Sequence, residues 1–183
     1  MKKLVLFFLM IAACPAFSQI SEGQKFCEET KEGPYFPVSL INFNKKVFWY
    51  TDFYKETKEE VKIINGITYT QLKQEWNNGK SNLLYYREEN GVVLQYDEDM
   101  KKETVRYDNS FPEGHIWKAA NGKDHFKILS YKGELRTPYC EYKNLLVIEA
   151  HVSYGHFNFY YLKGHGYIGA TKDGKIVSCI SPE

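Results

Sequence analysis

Apolar and polar residues alternate along most of this chain, and the alternation breaks at regular intervals on turn-forming dipeptides. The breaks fall at Asn65-Gly66, Asn90-Gly91, Asn121-Gly122, Lys132-Gly133 and Asp173-Gly174. Asn-Gly and Asp-Gly supply two adjacent residues able to take positive φ, as a type I′ hairpin turn demands. Between the breaks lie short runs rich in Val, Ile, Tyr, Phe and Thr: EVKII, ITYTQL, NLLYYRE, VVLQYD, ETVRYD, FKILSY, NLLVIEAHV, FNFYYLK, YIGATK and KIVSCI. A period of two gives each such strand one dry and one wet face, and tight turns join neighbours antiparallel. Outside the N-terminal leader no long window has a 3.6-residue apolar period; TQLKQEWNNG comes nearest to a helix. The pattern predicts an all-β fold with little helix. It would be a single open, curved antiparallel sheet or half-barrel of roughly 8 to 11 strands, built from consecutive hairpins.

Two hairpins can be given a register. With Asn90-Gly91 as the loop, Glu89 faces Val92, Arg87 faces Leu94, and Tyr85 faces Tyr96, an aromatic pair directly opposite. A loop at Tyr154-Gly155 sets Ser153 opposite His156, His151 opposite Asn158, Ala150 opposite Phe159 and Ile148 opposite Tyr161. One face then carries Leu146, Ile148, Ala150, Val152, Phe157, Phe159 and Tyr161. The other carries Glu149, His151, His156, Asn158 and Tyr160.

The start of the chain follows another rule. MKKLVLFFLMIAACPAFSQ has two lysines, an unbroken apolar run from Leu4 to Ala13, and small residues at Ala16 and Ser18, the layout of a secretory signal peptide. The run is well short of the roughly 20 residues that span a bilayer as a helix, and no later segment is comparably apolar. Residues 1–18 are therefore read as a signal peptide, with cleavage before Cys14 as a lipoprotein the alternative. Residues 19–37 form an extended lead-in, and residues 38–183 a single β domain. The expected address is outside the cytoplasm: periplasm, outer-membrane surface or secreted. Removing the leader leaves 22 Lys and Arg against 23 Asp and Glu. Such a balance excludes the basic face of a nucleic-acid binder and gives no attraction to an anionic membrane.

Export changes the meaning of the cysteines. Cys27, Cys140 and Cys179 remain, so one internal bridge can form and one thiol is left over. Cys179 lies in an apolar strand, where a free cysteine behaves as a small hydrophobe. Cys27 sits in polar ground with no packing reason to be there, and Cys140 follows Pro138 just before a strand. Cys27 to Cys140 is the favoured pairing among the three; closing so long a loop stabilises a fold by about 4–5 kcal/mol in the chain-entropy model.

Candidate chemistry is sparse. Gly164, Gly166 and Gly169 spell G-x-G-x-x-G, but the Asp173-Gly174 turn follows at once, leaving no helix to receive a pyrophosphate. Gly164 and Gly166 are read as relaxing the backbone at a bend or bulge, with His165 on the solvent side. Glu149, His151 and His156 share a face and form the candidate metal set, because imidazole and carboxylate suit zinc. No G-x-S-x-G elbow exists, and Cys140 beside Glu141 lacks the cationic neighbours a thiolate needs. The acidic pairs Glu59-Glu60 and Glu88-Glu89 and the run Asp97-Glu98-Asp99 sit at strand ends and turns, where charge is ordinary solvation. No catalytic residue and no cofactor are assigned.

The aromatic excess is more informative: 15 Tyr, 12 Phe and 3 Trp make 16% of the chain. Large rings build a β core, and a curved sheet can leave an aromatic-lined hollow for an apolar ligand. Phe157, Phe159, Tyr161, Tyr85 and Tyr96 are the candidate lining residues.

The order of motifs adds a resemblance. YFP and VFWY near the start, YYREENGVVLQYDE, FPEGHIW, KGELRTPYCEYKNLLVIEA and FYYLKGHGYIG resemble a group of exported bacterial β-sheet domains of unknown function. That group is related in shape to the lipoprotein-localisation-factor superfamily, whose fold is a curved antiparallel half-barrel; the leader ending in FSQ resembles those of Bacteroidota. The resemblance implies a fold and an envelope address, not an activity. The leading expectation is a non-enzymatic envelope protein that binds an apolar or amphipathic ligand, such as lipid, in an aromatic concavity. A module pairing with an envelope protein partner through exposed sheet edges comes second. A metal-dependent hydrolase on the histidine face comes third.

Overall fold

The structure, a computed structural model, describes residues 27–38 and 45–181. The predicted signal peptide with both cleavage sites lies outside the described residues. After the lead-in come β1 (Lys45–Trp49), β2 (Asp52–Lys58), β3 (Lys62–Ile64), β4 (Ile67–Trp76), β5 (Ser81–Glu89), β6 (Val92–Asp97) and β7 (Lys102–Asp108). Then follow β8 (Ile116–Lys118), β9 (His125–Arg136), β10 (Glu141–Val152), β11 (Gly155–Leu162), β12 (Gly166–Lys172) and β13 (Lys175–Ser181). The described residues hold no helix, and TQLKQEW, the nearest to a helical pattern, lies within β4.

All ladders are antiparallel, and the sheet order is β7-β6-β5-β4-β2-β1-β13-β12-β11-β10-β9-β8. Neighbours in sequence are neighbours in space, and β3 continues β2 along the same edge of β4. The ladder of β1 with β13, through Val47 opposite Ile180, turns this meander back on itself. The expected half-barrel is thus nearly closed. One gap in the hydrogen-bonded circle separates β7 from β8, and side chains bridge it: Trp117 Nε1 donates to the Val105 carbonyl at 2.9 Å, and the Ala120 amide donates to Thr104 Oγ1 at 2.9 Å. Closing a sheet removes exposed edges, each a row of unsatisfied backbone groups.

The predicted turns divide by mechanism. Asn65-Gly66, Asn90-Gly91 and Asp173-Gly174 have positive φ at both positions, as a type I′ turn requires. The Asn90-Gly91 register is as predicted, with Tyr85 opposite Tyr96. Lys132-Gly133 is not a turn. Gly133 lies inside β9 opposite Leu145, where an added Cβ would stand 2.1 Å from Val147 Cγ2, so packing rather than chain reversal requires the glycine. The β10–β11 turn is centred on Ser153-Tyr154, two residues of register from the prediction; Ala150 faces Phe157, Ile148 faces Phe159, and His151 faces His156. A slip of two preserves which face each side chain takes, so the dry and wet faces stand as read.

The dry faces point inward. One cluster packs Val93, Tyr107, Trp117, Phe126, Ile128, Leu146, Ile148 and Ala150; a second packs Val47, Tyr54, Leu135, Tyr142, Leu145, Leu162, Ile168 and Ile180. The outer faces of β2 and β4 carry exposed Lys55 and Glu75, directly paired. Apolar-in and polar-out is the reverse of the alternation of a membrane-spanning barrel.

Candidate functional site

Inside the barrel the chain's own lead-in occupies part of the space. The disulfide between Cys27 and Cys140, Cα atoms 5.1 Å apart, anchors its start, and the Glu28 amide donates to Tyr142 Oη at 3.3 Å. Further on, the Lys31 amide donates to the Lys163 carbonyl at 3.3 Å, and the Gly164 amide to the Pro34 carbonyl at 2.9 Å. The segment then enters the interior: Phe36 stacks between Tyr107 of β7 and Tyr161 of β11, with ring centroids at 5.4 and 4.2 Å.

This crossing explains the glycine motif. A Cβ on Gly164 would stand 2.7 Å from the Lys31 carbonyl oxygen, and one on Gly166 would stand 3.3 Å from Pro37 Cδ; both residues also have positive φ. The glycines let two backbones touch, and just beyond them on β12 a β-bulge sets Ile168, the extra residue, opposite Tyr160 and Tyr161. His165 between them is 3% exposed, which corrects the solvent-side expectation. Its carbonyl accepts from Lys45 Nζ at 2.6 Å, and Nδ1 lies 3.3 Å from Glu28 Oε2. Burial holds its pKa below the usual value against the pull of Glu28.

The lead-in leaves a cavity of about 170 Å³ beside it. Trp49 of β1, Tyr54 of β2, Leu72 of β4, Tyr86 of β5, and Phe159 and Tyr161 of β11 form its apolar walls, with Phe36 and Tyr167 completing them. Trp49 reaches past β13 and β12 to lie 5.7 Å from the Phe157 ring and 6.3 Å from the Phe159 ring, a contact only a strongly curved sheet permits. Polar groups interrupt the wall: Lys45, Glu56, Gln74 and Arg106. Gln74 Nε2 donates to Glu56 Oε2 at 2.9 Å. Burial raises the hydroxyls of Tyr54, Tyr86 and Tyr161 above the ordinary tyrosine value, Tyr86 to about 12 against the pull of Arg106, so they line the cavity as neutral donors.

Of the candidate lining residues, Phe159 and Tyr161 are in the wall, and Phe157 is buried beside Trp49. Tyr85 and Tyr96 face each other as predicted but on the outer face, because Tyr86, their neighbour in alternation, points inward. There Tyr96 packs on Tyr69 at 5.6 Å, and Tyr69 Oη donates to Glu103, which Arg87 also grips with two nitrogens. The pair is an outer brace, not a lining. Pattern reading missed Tyr86 because YY offers a ring to either face, and it missed Arg106 because a bulge intervenes. Val93 pairs with Tyr107 and Leu94 with Val105, so Arg106 is the extra residue and is carried inward with Tyr107.

The metal candidates do come together, on the outer face. Glu149 Oε2 lies 3.5 Å from His151 Nε2, and the His151 and His156 rings are 4.0 Å apart. His125 joins them, stacked on His151 at 4.4 Å with the planes 9° apart. The stacked His125 and His151 rings direct their nitrogen lone pairs along parallel planes, whereas the His156 ring is tilted 54° to that of His151. Among the described residues no group of three His, Cys, Asp or Glu side chains is arranged to hold a metal ion.

The residual cysteine is Cys179, buried as predicted, its thiol pushed up to about 11 by burial. The fold and site define a nearly closed antiparallel barrel with a plugged, aromatic, partly charged interior. No protein family, curated protein or solved structure matches the chain.

Proposed function

We propose that this is an exported, non-enzymatic binding protein that holds a small amphipathic ligand inside its barrel. The observation that carries the reading is the cavity of about 170 Å³ between Trp49, Tyr86, Phe159 and Tyr161. A well-packed interior keeps few voids larger than a water, whereas a cavity of about 150 Å³ takes up benzene. Aromatic walls with a few convergent polar groups are the usual make-up of a ligand site. The disulfide and the lack, among the described residues, of a helix able to cross a membrane are compatible with export. The motif resemblance to exported bacterial β-sheet domains of unknown function supports the same address. A lipid acyl chain exceeds the hollow as it stands, so lipid binding requires Phe36 and its neighbours to withdraw.

Native mass spectrometry of protein purified from its own envelope, with the emission of a variant that keeps Trp49 as its one tryptophan followed during extraction, tests the reading. A co-purifying small molecule whose removal shifts Trp49 emission is expected. A ligand-free protein whose emission responds to no aromatic or aliphatic probe would overturn it.

The second reading, a partner-binding module, has one observation in its favour. Ile63 on β3 is 67% exposed, Val61 and Ile67 are exposed beside it, and the described residues leave the outer edge of β3 unpaired.

A further inference from the structure

The charges inside the barrel do not balance locally. Glu56 is held by Gln74 and lies close enough to Lys45 to act on it, together with Glu28. Arg106 is on the other side of the account. Its Nε is sealed from solvent without a hydrogen-bond partner; the titratable groups around it are the tyrosines Tyr86, Tyr161 and Tyr154, of which Tyr161 hydrogen-bonds the guanidinium. Its guanidinium lies 5.5 Å from the Phe126 ring, a contact that offsets only part of the lost hydration. No carboxylate among the described residues forms an ion pair with it. Arg106 is half-buried, and a partly desolvated cation without an ion-pair partner is a costly group for a fold to keep.

We propose that Arg106 is the anchor for an organic monocarboxylate whose apolar body, about the size of one benzene ring, fills the aromatic cavity. This rests on the ligand-binding reading above and names the ligand class of that same site. A guanidinium offers a planar fork matched to a carboxylate, and charge-assisted bonds of this kind are about twice as strong as neutral ones. Tyr86 and Tyr161 keep their protons and so can donate to the same carboxylate. The size follows from volume: about 170 Å³ suits a ring with a small polar substituent and excludes a long chain while Phe36 is in place.

The test uses benzoate and benzamide, matched in size and differing in charge, titrated calorimetrically into the full mature chain with its disulfide intact. Benzoate is expected to bind at least about tenfold more tightly, the effect of one charge-assisted interaction. In Arg106→Met the preference should vanish while benzamide binding stays, and Arg106→Lys should restore part of it. A purely structural arginine would instead make Arg106→Met melt lower than the ligand-free parent; the proposal expects an equal or higher melting temperature. Equal binding of the two probes by the parent protein overturns the carboxylate assignment and leaves the cavity reading standing. Failure of both probes, and of hexanoate and hexanamide as aliphatic counterparts, overturns both.

Discussion

Lys45 shows how one buried side chain links the site to solution conditions. It lies under the lead-in, its ammonium on the His165 carbonyl, with Glu56 and Glu28 near and the His165 ring beside them. Burial pulls its pKa down to about 8, against the two carboxylates. In the unfolded chain a lysine holds its proton to about pH 10.4. Between these values the unfolded state binds more protons, so stability rises with pH, by at most about 1.4 kcal/mol per unit. The buried tyrosines act the other way above about pH 10, where the unfolded chain ionises first and stability falls. Cys179, its thiol pushed up to about 11, also acts the other way from about pH 8.5, where an unfolded thiol ionises first. Urea unfolding at pH 7.5, 8.5 and 9.5 should therefore show the parent midpoint rising relative to that of Lys45→Met. Midpoints that move in parallel in the two proteins would mean that the amine is not desolvated.

At the scale of elements, the lead-in is the piece that turns a barrel into a site. It is held by one covalent bond, a few backbone hydrogen bonds and the stacking of Phe36. The bridge closes a loop spanning 113 residues of sequence, which in the chain-entropy model is worth about 4–5 kcal/mol. Cys27→Ser and Cys140→Ser should each lower stability by about that amount, with the double variant no worse than either single one, because the two sulfurs act as a unit. Thermal melts of the three variants check this, and limited proteolysis should cut first within residues 27–38. Part of this arrangement was legible beforehand. Cys27 in polar ground and Cys140 before a strand pointed to the staple, and four Asn-Gly or Asp-Gly pairs placed their hairpins correctly. The lead-in's entry into the barrel was not legible, since YFPV has no alternation to reveal what it packs against. Gly133 was misread because a glycine needed for contact between distant segments has the same letter as one needed for a turn; Gly164, with positive φ in the β11–β12 turn, serves both. Arg106 was hidden because a single bulge reverses the parity on which face assignments depend.

At the scale of the whole molecule, the pattern of hairpins foretold a meander but not its return, because nothing local in KKVFW and KIVSCI announces that they pair. That ladder joins the two ends of the domain, and long-range pairing slows folding because loop closure must come first. Stopped-flow refolding of a variant that keeps Trp49 as its one tryptophan, with the disulfide intact, should show a late phase in which Trp49 becomes half-buried. Ile180→Ala, which weakens the Val47 contact, should speed unfolding and leave the early refolding phases unchanged. Early loss of the same amplitude would place closure at the start instead. The pairing also sets an order in time. β1 is the first strand of the ring to leave the ribosome, and one of its edges stays open until β13, the last, has followed. Throughout that interval Val47 and Trp49 are uncovered on one side, so a chain interrupted before Lys175 would carry an adhesive edge rather than a slightly weaker barrel.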